Sequence, residues 1–368
     1  GANDAAEVYT LSDTVLCIHV FQLNEEEGVD QTSGDSEDDN VIAANHWVLP
    51  ARGLLGVWDS LIYDNNLQLK LLDYVYTSML FGDRLVDPNI ISVNRVALLH
   101  GPPGTGKTSL CRALAQKLAI RLADRYSYGK LVEINSHSLF SKFFSESGKL
   151  VMRMFQQIHQ ILNDQDVFVV VLIDEVESLS AARKAALSGM EPSDAIRVVN
   201  ALLTQLDQLR RRSNVLIMTT SNITEAIDVA FIDRADIKQY IGPPSQRARY
   251  AILATCLNEL VKKGLIADPV RLTPRLAQRT PEEREVSLML WDLAGQCEGF
   301  SGRTLRKLPF LAHAFHLSAT PTHRSVSLKE YVVALRETVR TEKVARLSVA
   351  GVKPAVATLG SGMEALGV

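Results

Sequence analysis

The sequence of 368 residues has few cysteines, no long apolar run and almost no net charge. Its four cysteines lie far apart and form no CxxC pair, which disfavours a zinc site or a disulfide framework and favours a reducing compartment. The longest apolar run, residues 167–173, is much shorter than the roughly 20 residues of a membrane-spanning helix. With a net charge of −3, no strong overall field attracts nucleic acid. We therefore expect neither a membrane nor a direct nucleic-acid partner.

The segment before residue 60 is the least regular part of the sequence. Apolar residues that alternate with polar ones predict a strand at residues 14–23. Residues 24–40 carry eight acidic side chains and few apolar ones, so this stretch cannot bury enough surface to offset its ordering. It is predicted to be a mobile loop, and an acidic docking segment is the alternative interpretation.

From residue 61 onward, apolar runs alternate with segments of helical periodicity. The predicted strands cover residues 95–100, 130–135, 167–173 and 215–220, and the predicted helices cover residues 61–81, 108–119, 148–162 and 194–210. Because each strand is nearly continuous in apolar residues, the pattern predicts an α/β fold with a parallel sheet covered by helices on both faces. After residue 244 only helices are predicted, at 245–263, 285–297, 302–317 and 327–346.

A glycine-rich segment between the first of these strands and its helix has the pattern of a phosphate-binding loop. The sequence GPPGTGKT at 101–108 matches G-x-x-x-x-G-K-[ST] at every fixed position. Glycines let the backbone wrap around phosphates, and the helix that follows adds the positive end of its dipole. The motif therefore predicts ATP binding, with Lys107 on the β- and γ-phosphates. The predicted nucleotide-binding residues are Gly101, Pro102, Pro103, Gly104, Thr105, Gly106, Lys107, Thr108 and Ser109.

Two acidic residues, Asp174 and Glu175, directly follow a buried strand. Ligands bind at the carboxyl ends of parallel strands in α/β folds, so both carboxylates are expected beside the phosphate-binding loop. Asp174 is predicted to hold Mg²⁺ together with Thr108, and Glu175 is predicted to be the general base that activates the attacking water. Asn222, after the next strand, is predicted to hydrogen-bond that water or the γ-phosphate.

Two arginines are candidates for neutralising the charge that develops on the γ-phosphate. Arg234 follows the last predicted strand of the first domain, and Arg303 follows the sequence GFSG at the start of a helix in the second. A lone arginine is more often a solvated surface residue. Both roles therefore depend on the rest of the pattern.

The phosphate-binding loop, the acidic pair, Asn222 and the two arginines together resemble the ATP site of an AAA+ ATPase. The sequence between them narrows the resemblance to the pachytene checkpoint family, whose animal members are called thyroid receptor interactor proteins. The similar segments are IAANHWVLP at 42–50, NSHSLFSK at 135–142, SESGK at 145–149, DEVESL at 174–179, EPSDAIRVVN at 191–200, DRADIKQYIGPP at 233–244 and GRTLRKLPF at 302–310. The resemblance extends over most of the chain.

The resemblance implies a fold and a function. The fold would be an AAA+ core with a parallel sheet flanked by helices, followed by an all-helical lid and preceded by a partial N-terminal domain. The function would be that of a homohexamer which uses ATP and Mg²⁺ to convert HORMA-domain proteins from the closed to the open conformer, with a HORMA-like adaptor as a second partner. Family members serve spindle-checkpoint silencing and control of meiotic chromosome axes, which implies a location in the nucleus and cytoplasm.

The same resemblance assigns roles to residues and ranges. It makes Asn222 the sensor 1 residue, Arg303 the sensor 2 arginine of the lid and Arg234 the arginine finger offered to a neighbouring subunit. Phe143 stands where the family has an aromatic pore-loop residue, and Gly189 belongs to the expected second pore loop. The expected domains are a remnant of a recognition domain at 1–50, an ATPase domain at 51–244, a lid at 245–346 and a disordered tail at 347–368.

Other functions fit part of this pattern. An AAA+ motor that acts on nucleic acid or on another protein complex would share the ATP site, but the sequence has no basic stripe. The intact Lys107, Asp174 and Glu175 disfavour a binding module without hydrolysis, and the missing Asn-Lys-x-Asp motif disfavours a GTPase.

Overall fold

The computed structural model divides the chain into two compact units, Gly1–Gly242 and Pro243–Val368. It describes residues 18–26, 28–32, 42–87, 89–136, 147–181, 194–223, 227–267, 272, 281–317 and 326–349. Each unit has its own secondary structure and its own buried residues, and each is described by itself.

The first unit is built on a seven-stranded sheet with the order β1-β2-β4-β5-β6-β3-β7. The strands are β1 Val29–Thr32, β2 Ile42–Leu49, β3 Val96–His100, β4 Tyr128–Asn135, β5 Val167–Asp174, β6 Val215–Ser221 and β7 Ile237–Tyr240. The five strands from β4 to β7 in this order are parallel, while β1 pairs with β2 and β2 with β4 in antiparallel register. The predicted α/β class is thus confirmed, and the sheet is mixed rather than purely parallel.

Helices cover both faces of this sheet. They are α1 Val57–Ser60, α2 Leu67–Asp83, α3 Lys107–Arg121, α4 Ser147–Leu162, α5 Asp194–Leu209 and α6 Val229–Arg234. Alternate side chains of β5 enter opposite cores: Val169 and Val171 pack in the core that contains α4 and α5, whereas Phe168 and Val170 pack in the core that contains α2 and α3. This burial on both faces explains why β5 is continuous in apolar residues.

The structure corrects two predictions for the N-terminal segment. Residues 18–23 form no regular element, and the side chains of Ile18 and Val20 are exposed, so the alternating pattern has no sheet to pack against in the described part of 14–23. Within the predicted loop at 24–40, Val29–Thr32 is a strand because β2 supplies it with ladder partners. Both β1 and β2 extend the sheet of the first unit, so these two strands belong structurally to that unit.

Among its described residues, the second unit contains helices and no strand. They are α7 Gln246–Lys262, α8 Pro281–Gln296, α9 Gly302–Ala312 and α10 Leu328–Val349, with a π-helical turn at His313–Leu317. Ser245 and Ser301 cap α7 and α9, since their side-chain oxygens accept backbone N–H groups three residues later. The helix predicted at residues 302–317 is present, but its geometry changes from α to π after Ala312. Among the described residues, no helix is long and apolar enough for a membrane span.

Candidate functional site

Three neighbouring parallel strands, β5, β6 and β3, end at the same edge of the sheet. Asp174 is the last residue of β5, Ser221 is the last residue of β6, and Gly101 directly follows β3. The backbone N–H of Gly101 donates to the carbonyl oxygen of Ser221 at 3.2 Å. The strand register therefore brings together the glycine-rich loop, the acidic pair and the polar segment that contains Asn222.

The backbone of the loop at 101–106 needs glycine at specific positions. Gly101, Gly104 and Gly106 have φ angles of 139°, 77° and 94°, in the region that side chains rarely adopt. A Cβ atom at Gly101 would overlap the carbonyl oxygen of Ile241, and one at Gly106 would lie 2.9 Å from the Tyr63 hydroxyl oxygen. The loop is thus closely packed against neighbouring segments of the first unit. Residues other than glycine would be strained at these three positions.

Lys107, the first residue of α3, points back into this loop. Its side chain is buried, and Nζ donates to the carbonyl oxygens of Gly101 at 2.8 Å and Pro102 at 2.9 Å. The Thr105 hydroxyl also donates to the Pro102 carbonyl, at 3.0 Å. The loop is therefore closed around a buried cation, while Pro103 is exposed to solvent and Ser109 is half-buried in the first turn of α3.

The carboxylate of Asp174 lies directly beside the start of α3. The Thr108 hydroxyl donates to Asp174 Oδ1 at 3.0 Å and is 3.1 Å from Oδ2, and the Thr220 hydroxyl donates to Oδ1. Asp174 and Thr108 are the two residues predicted to hold Mg²⁺, and the structure places their oxygen atoms in contact. The sequence did not identify Thr220, which reaches Asp174 only because β5 and β6 are neighbours.

Glu175 and Asn222 meet across the ends of β5 and β6. The Asn222 side-chain amide Nδ2 donates to Glu175 Oε1 at 3.3 Å. Glu175 has a φ angle of 61°, and its N–H donates to the Thr220 hydroxyl oxygen at 3.2 Å. Its side chain is exposed while that of Asn222 is half-buried, so the carboxylate is held at one oxygen and accessible to solvent.

A second glutamate, Glu177, also contacts Asn222 and is not among the predicted site residues. Its Oε1 accepts the backbone N–H of Asn222 at 3.0 Å, and its Oε2 is buried with no hydrogen-bond partner in the part of the chain that the structure describes. Glu177 is the first residue of a helical segment at 177–181. Its position two residues after Glu175 was the available sequence signal, although that spacing alone specifies no contact.

Two titratable groups near the loop are held neutral by their surroundings. Burial lowers the pKa of the His100 imidazole below its usual range, and the charge of Lys107 lowers it further. Burial also raises the pKa of the Cys111 thiol on α3 well above its usual range, with Asp174 as the next cause. Neither group is therefore expected to ionise at neutral pH.

Arg234, the candidate finger, is tied to an acidic residue of its own chain. Its Nε and Nη2 atoms donate to the two carboxylate oxygens of Asp207 at 2.9 and 2.8 Å, and Nη1 donates to the Ala230 carbonyl oxygen at 2.8 Å. The hydrogen bond from Arg234 holds the pKa of Asp207 below its usual range, and the same bond raises the pKa of Arg234. This pairing fixes the direction of the guanidinium, and the role in a neighbouring subunit stays a prediction.

Three predicted site residues remain, namely Arg303, Phe143 and Gly189. Arg303 lies in the second unit, exposed in the first turn of α9. Phe143 and Gly189, the predicted pore-loop residues, lie outside the described ranges, so their placement stays a prediction.

Two family models match the chain in succession. Residues 97–243 match the ATPase family associated with various cellular activities (AAA), and residues 245–343 match the TRIP13-like, AAA+ ATPase lid C-terminal domain. The human pachytene checkpoint protein 2 homolog is 58% identical over 336 residues, which cover 88% of this chain and 75% of the human protein. The zebrafish homolog (Danio rerio) is 53% identical over 333 residues, 89% of this chain and 77% of its own.

The chain belongs to the pachytene checkpoint protein 2 family of AAA ATPases. It is therefore an ATPase, with a nucleotide-binding AAA domain followed by a TRIP13-like lid. Among solved structures, C. elegans PCH-2 superposes with a TM-score of 0.77 at 40% identity, over 93% of this chain and 83% of that one. The E. coli MS115-1 HORMA:CdnC:Trip13 complex shares the fold, with a TM-score of 0.58 at 18% identity over 79% of this chain and 94% of that one.

Proposed function

We propose that the chain is an ATP-driven motor that converts HORMA-domain proteins from the closed to the open conformer, and that it works as a homohexamer. The observation that carries the proposal is the match of residues 245–343 to the TRIP13-like lid, since this lid separates the chain from AAA ATPases in general. A HORMA protein is present in the bacterial complex that contains a Trip13 protein, and we transfer this partner class to the chain. A HORMA-like adaptor, checkpoint silencing, meiotic axis control and a nuclear and cytoplasmic location belong to the same proposal.

The residues of the loop and of the β5 end fit a complex of ATP with Mg²⁺. Three glycines with positive φ angles leave the loop backbone without side chains at those positions, where phosphate oxygens can approach it. Lys107 carries its charge inside the loop. A hydroxyl from Thr108 and a carboxylate from Asp174 lie 3.0 Å apart, and oxygen atoms of these kinds are the protein ligands that Mg²⁺ prefers. When bound, the complex supplies the phosphoanhydride bond that is cleaved. In the proposal, Lys107 binds the β- and γ-phosphates, and Thr108 and Asp174 hold the metal.

Glu175 is the general base of the proposed hydrolysis. Its carboxylate accepts a hydrogen bond from Asn222, and its exposed side chain leaves room for a water molecule beside the second oxygen. Glu175 would take the proton of the attacking water while Asn222 keeps the carboxylate and that water aligned. Positioned general bases of this kind contribute roughly 10²- to 10⁴-fold to a rate.

Two arginines complete the proposed site. Arg303 reaches the γ-phosphate from the lid, and Arg234 reaches it from the neighbouring subunit, so that both neutralise charge during transfer. The two hydrogen bonds from Arg234 to Asp207 support this role, because they hold the guanidinium in one orientation on the surface of the first unit. Phe143 and Gly189 are proposed to line the pore in which the substrate chain is gripped.

A conversion assay tests the whole proposal. A closed HORMA protein, its adaptor and ATP are incubated with the wild type or with Glu175→Gln, and the open fraction is measured by ion-exchange chromatography beside phosphate release. The wild type is expected to hydrolyse ATP and produce open protein, while Glu175→Gln binds ATP, hydrolyses almost none and yields none. Hydrolysis without conversion would exclude HORMA remodelling, and equal hydrolysis by both proteins would exclude Glu175 as the base.

A further inference from the structure

The ends of β5 and β6 are joined by more hydrogen bonds than their ladder requires. Beyond the paired strands, five contacts connect the segment at 174–177 with the segment at 220–222. Three involve Thr220, whose hydroxyl donates to Asp174 and accepts the N–H of Glu175, and whose carbonyl oxygen accepts the N–H of Val176 at 3.0 Å. The other two involve Asn222, whose N–H donates to Glu177 Oε1 and whose Nδ2 donates to Glu175 Oε1.

Glu177 differs from the other members of this group because its carboxylate, rather than a neutral group, accepts a backbone N–H. A hydrogen bond from an amide to a carboxylate is stronger than one between neutral groups. At 3.0 Å it fixes the backbone of Asn222 at the point where β6 has ended and the chain turns away from the sheet. The position of the Asn222 side chain therefore depends on a residue of the β5 end.

Stability alone is a poor reason for a carboxylate at position 177. Its Oε2 atom is buried and has no hydrogen-bond partner among the described residues, which costs solvation free energy that an apolar side chain would not lose. An acid in the first turn of a helix is favourable, and this is the structural alternative, but the described helical segment at 177–181 is short. The hydrogen bond to Asn222 therefore fits a role of Glu177 in the proposed ATP site better than a role in stabilising the helical segment.

We propose that Glu177 is a positioning residue for ATP hydrolysis, which fixes the backbone of Asn222 so that the Asn222 amide holds the Glu175 carboxylate in place. The proposal rests on the roles proposed above for Glu175 and Asn222. Glu177 acts through Asn222 and needs no contact with nucleotide. A shift of about 1 Å in a positioning group can cost a large factor in rate, so loss of the anchor affects turnover more than binding.

The first test measures kcat and KM for ATP in Glu177→Ala and Glu177→Gln. Alanine removes the acceptor and is expected to lower kcat about tenfold with KM unchanged, as for loss of one charge-assisted hydrogen bond. Glutamine keeps an acceptor oxygen and is expected to stay within about threefold of the wild-type kcat. Unchanged kcat in folded Glu177→Ala would overturn the proposal, and so would a tenfold loss in folded Glu177→Gln.

Glu330→Ala is the matched control. Glu330 Oε2 accepts the backbone N–H of Ser327 at 3.0 Å, the same kind of bond at the same length, at the start of α10 in the second unit. Its removal is expected to leave kcat unchanged. If both alanine variants lower kcat equally, the loss at Glu177 reflects general destabilisation and the proposal is wrong. Binding of a fluorescent ATP analogue identifies folded variants, and Glu177→Met, which also lacks the acceptor but keeps the length of the side chain, replaces Glu177→Ala if that variant does not fold.

A double-mutant cycle with Asn222→Ala tests whether Glu177 acts through Asn222. Once the Asn222 side chain is absent, Glu177→Ala is expected to lower kcat no further, because residues that act as one unit are not additive. Multiplicative losses would show an independent role for Glu177 and overturn the proposal. If Asn222→Ala itself leaves kcat unchanged, the proposed role of Asn222 fails as well. If only Asn222→Ala lowers kcat, the inference about Glu177 fails alone.

Discussion

Individual residues of the proposed ATP site are held by their backbone conformation as well as by side-chain contacts. Glu175 adopts a φ angle of 61°, which costs a residue with a side chain roughly 1 kcal/mol or more. Two hydrogen bonds, to Thr220 and from Asn222, hold the residue there. The motif identifies Glu175 as an acid after a strand, but the direction of its carboxylate comes from this conformation.

Gly101→Ala tests the close packing of the loop. The added Cβ would overlap the Ile241 carbonyl oxygen, so the variant is expected to lose ATP binding and more than about 2 kcal/mol of unfolding free energy. Gly264→Ala is the control, since Gly264 also has a positive φ of 73° but no atom lies within 4 Å of its Cβ position. It is expected to cost about 1 kcal/mol and leave ATP binding intact. Equal losses in denaturant titrations would mean that contact with Ile241 is unimportant.

The Arg234–Asp207 pair makes stability depend on pH. Because Arg234 depresses the pKa of Asp207 in the folded state, the pair stabilises the protein above the unfolded pKa of about 4 and stops doing so as pH falls through the lower folded value. Asp207→Asn is therefore expected to lose about 1 kcal/mol at pH 7 and progressively less below about pH 4. Urea midpoints at several pH values measure the difference, and a constant difference would contradict the assigned cause.

Side-chain hydrogen bonds join neighbouring elements at both ends of the parallel strands. At the end opposite the ATP site, Asn214 precedes β6 and is 1% exposed. Its Nδ2 lies 3.0 Å from the carbonyl oxygen of Val167, 3.1 Å from that of Asp164 and 3.4 Å from that of Leu162, which ties β6 to the loop between α4 and β5. One buried amide group thus supplies hydrogen-bond donors to carbonyl oxygens of the neighbouring segment.

Asn214→Ala is expected to destabilise the first unit by about 2 kcal/mol, because buried carbonyl groups lose their donor. Asn214→Asp should cost more, since a carboxylate would face carbonyl oxygens. The control is Asn163→Ala, because Asn163 is exposed and accepts only a surface hydrogen bond from Arg212, and its loss is expected to stay below about 0.5 kcal/mol. Thermal unfolding measures all three variants. A stable Asn214→Asp would contradict the role given to the amide donor.

On the scale of the whole molecule, the two family models follow the division into two compact units. The AAA model ends at residue 243 and the lid model begins at 245, while the units meet between Gly242 and Pro243. The proposed arginines come from different sources, Arg303 from the lid and Arg234 from a neighbouring subunit. An ATP site divided in this way makes hydrolysis depend on assembly.

Mixing two inactive variants tests whether Arg234 acts on a neighbouring subunit. Glu175→Gln lacks the base but still offers Arg234, whereas Arg234→Ala lacks the finger but keeps its base, and each alone is expected to lose at least about tenfold in turnover. In randomly mixed rings, about a quarter of the sites combine an intact base with an intact finger, so co-expressed protein should regain activity.

The comparison is the phosphate release of the co-expressed mixture against the mean of the separate variants. Activity no higher than that mean would assign Arg234 to its own chain. Wild-type turnover in Arg234→Ala would show that Arg234 has no part in hydrolysis, and its ion pair with Asp207 would be the role that the structure describes.

Much of the fold and part of the site could be predicted from sequence because local patterns encode them. The helices and strands from residue 95 to residue 221 were predicted within two residues at almost every boundary, since each combines a clear period with marked ends. Asn222 is predicted as a site residue from sequence, and the structure brings its side chain into contact with Glu175, while its role stays a prediction. The strand at 29–32 was missed because its acidic sequence resembles a loop and only pairing with β2 makes it a strand.

The sequence by itself determined the family and the ATPase activity, and it predicted the loop, base and sensor residues, because a motif lists groups whose spacing along the chain is short. Only the tertiary structure decided which side chains support them. Glu177 and Asn222 are 45 residues apart, Thr220 and Asp174 are 46 apart, and Arg234 and Asp207 are 27 apart. Such pairs arise from strand order and helix packing, and no local period along the chain records them.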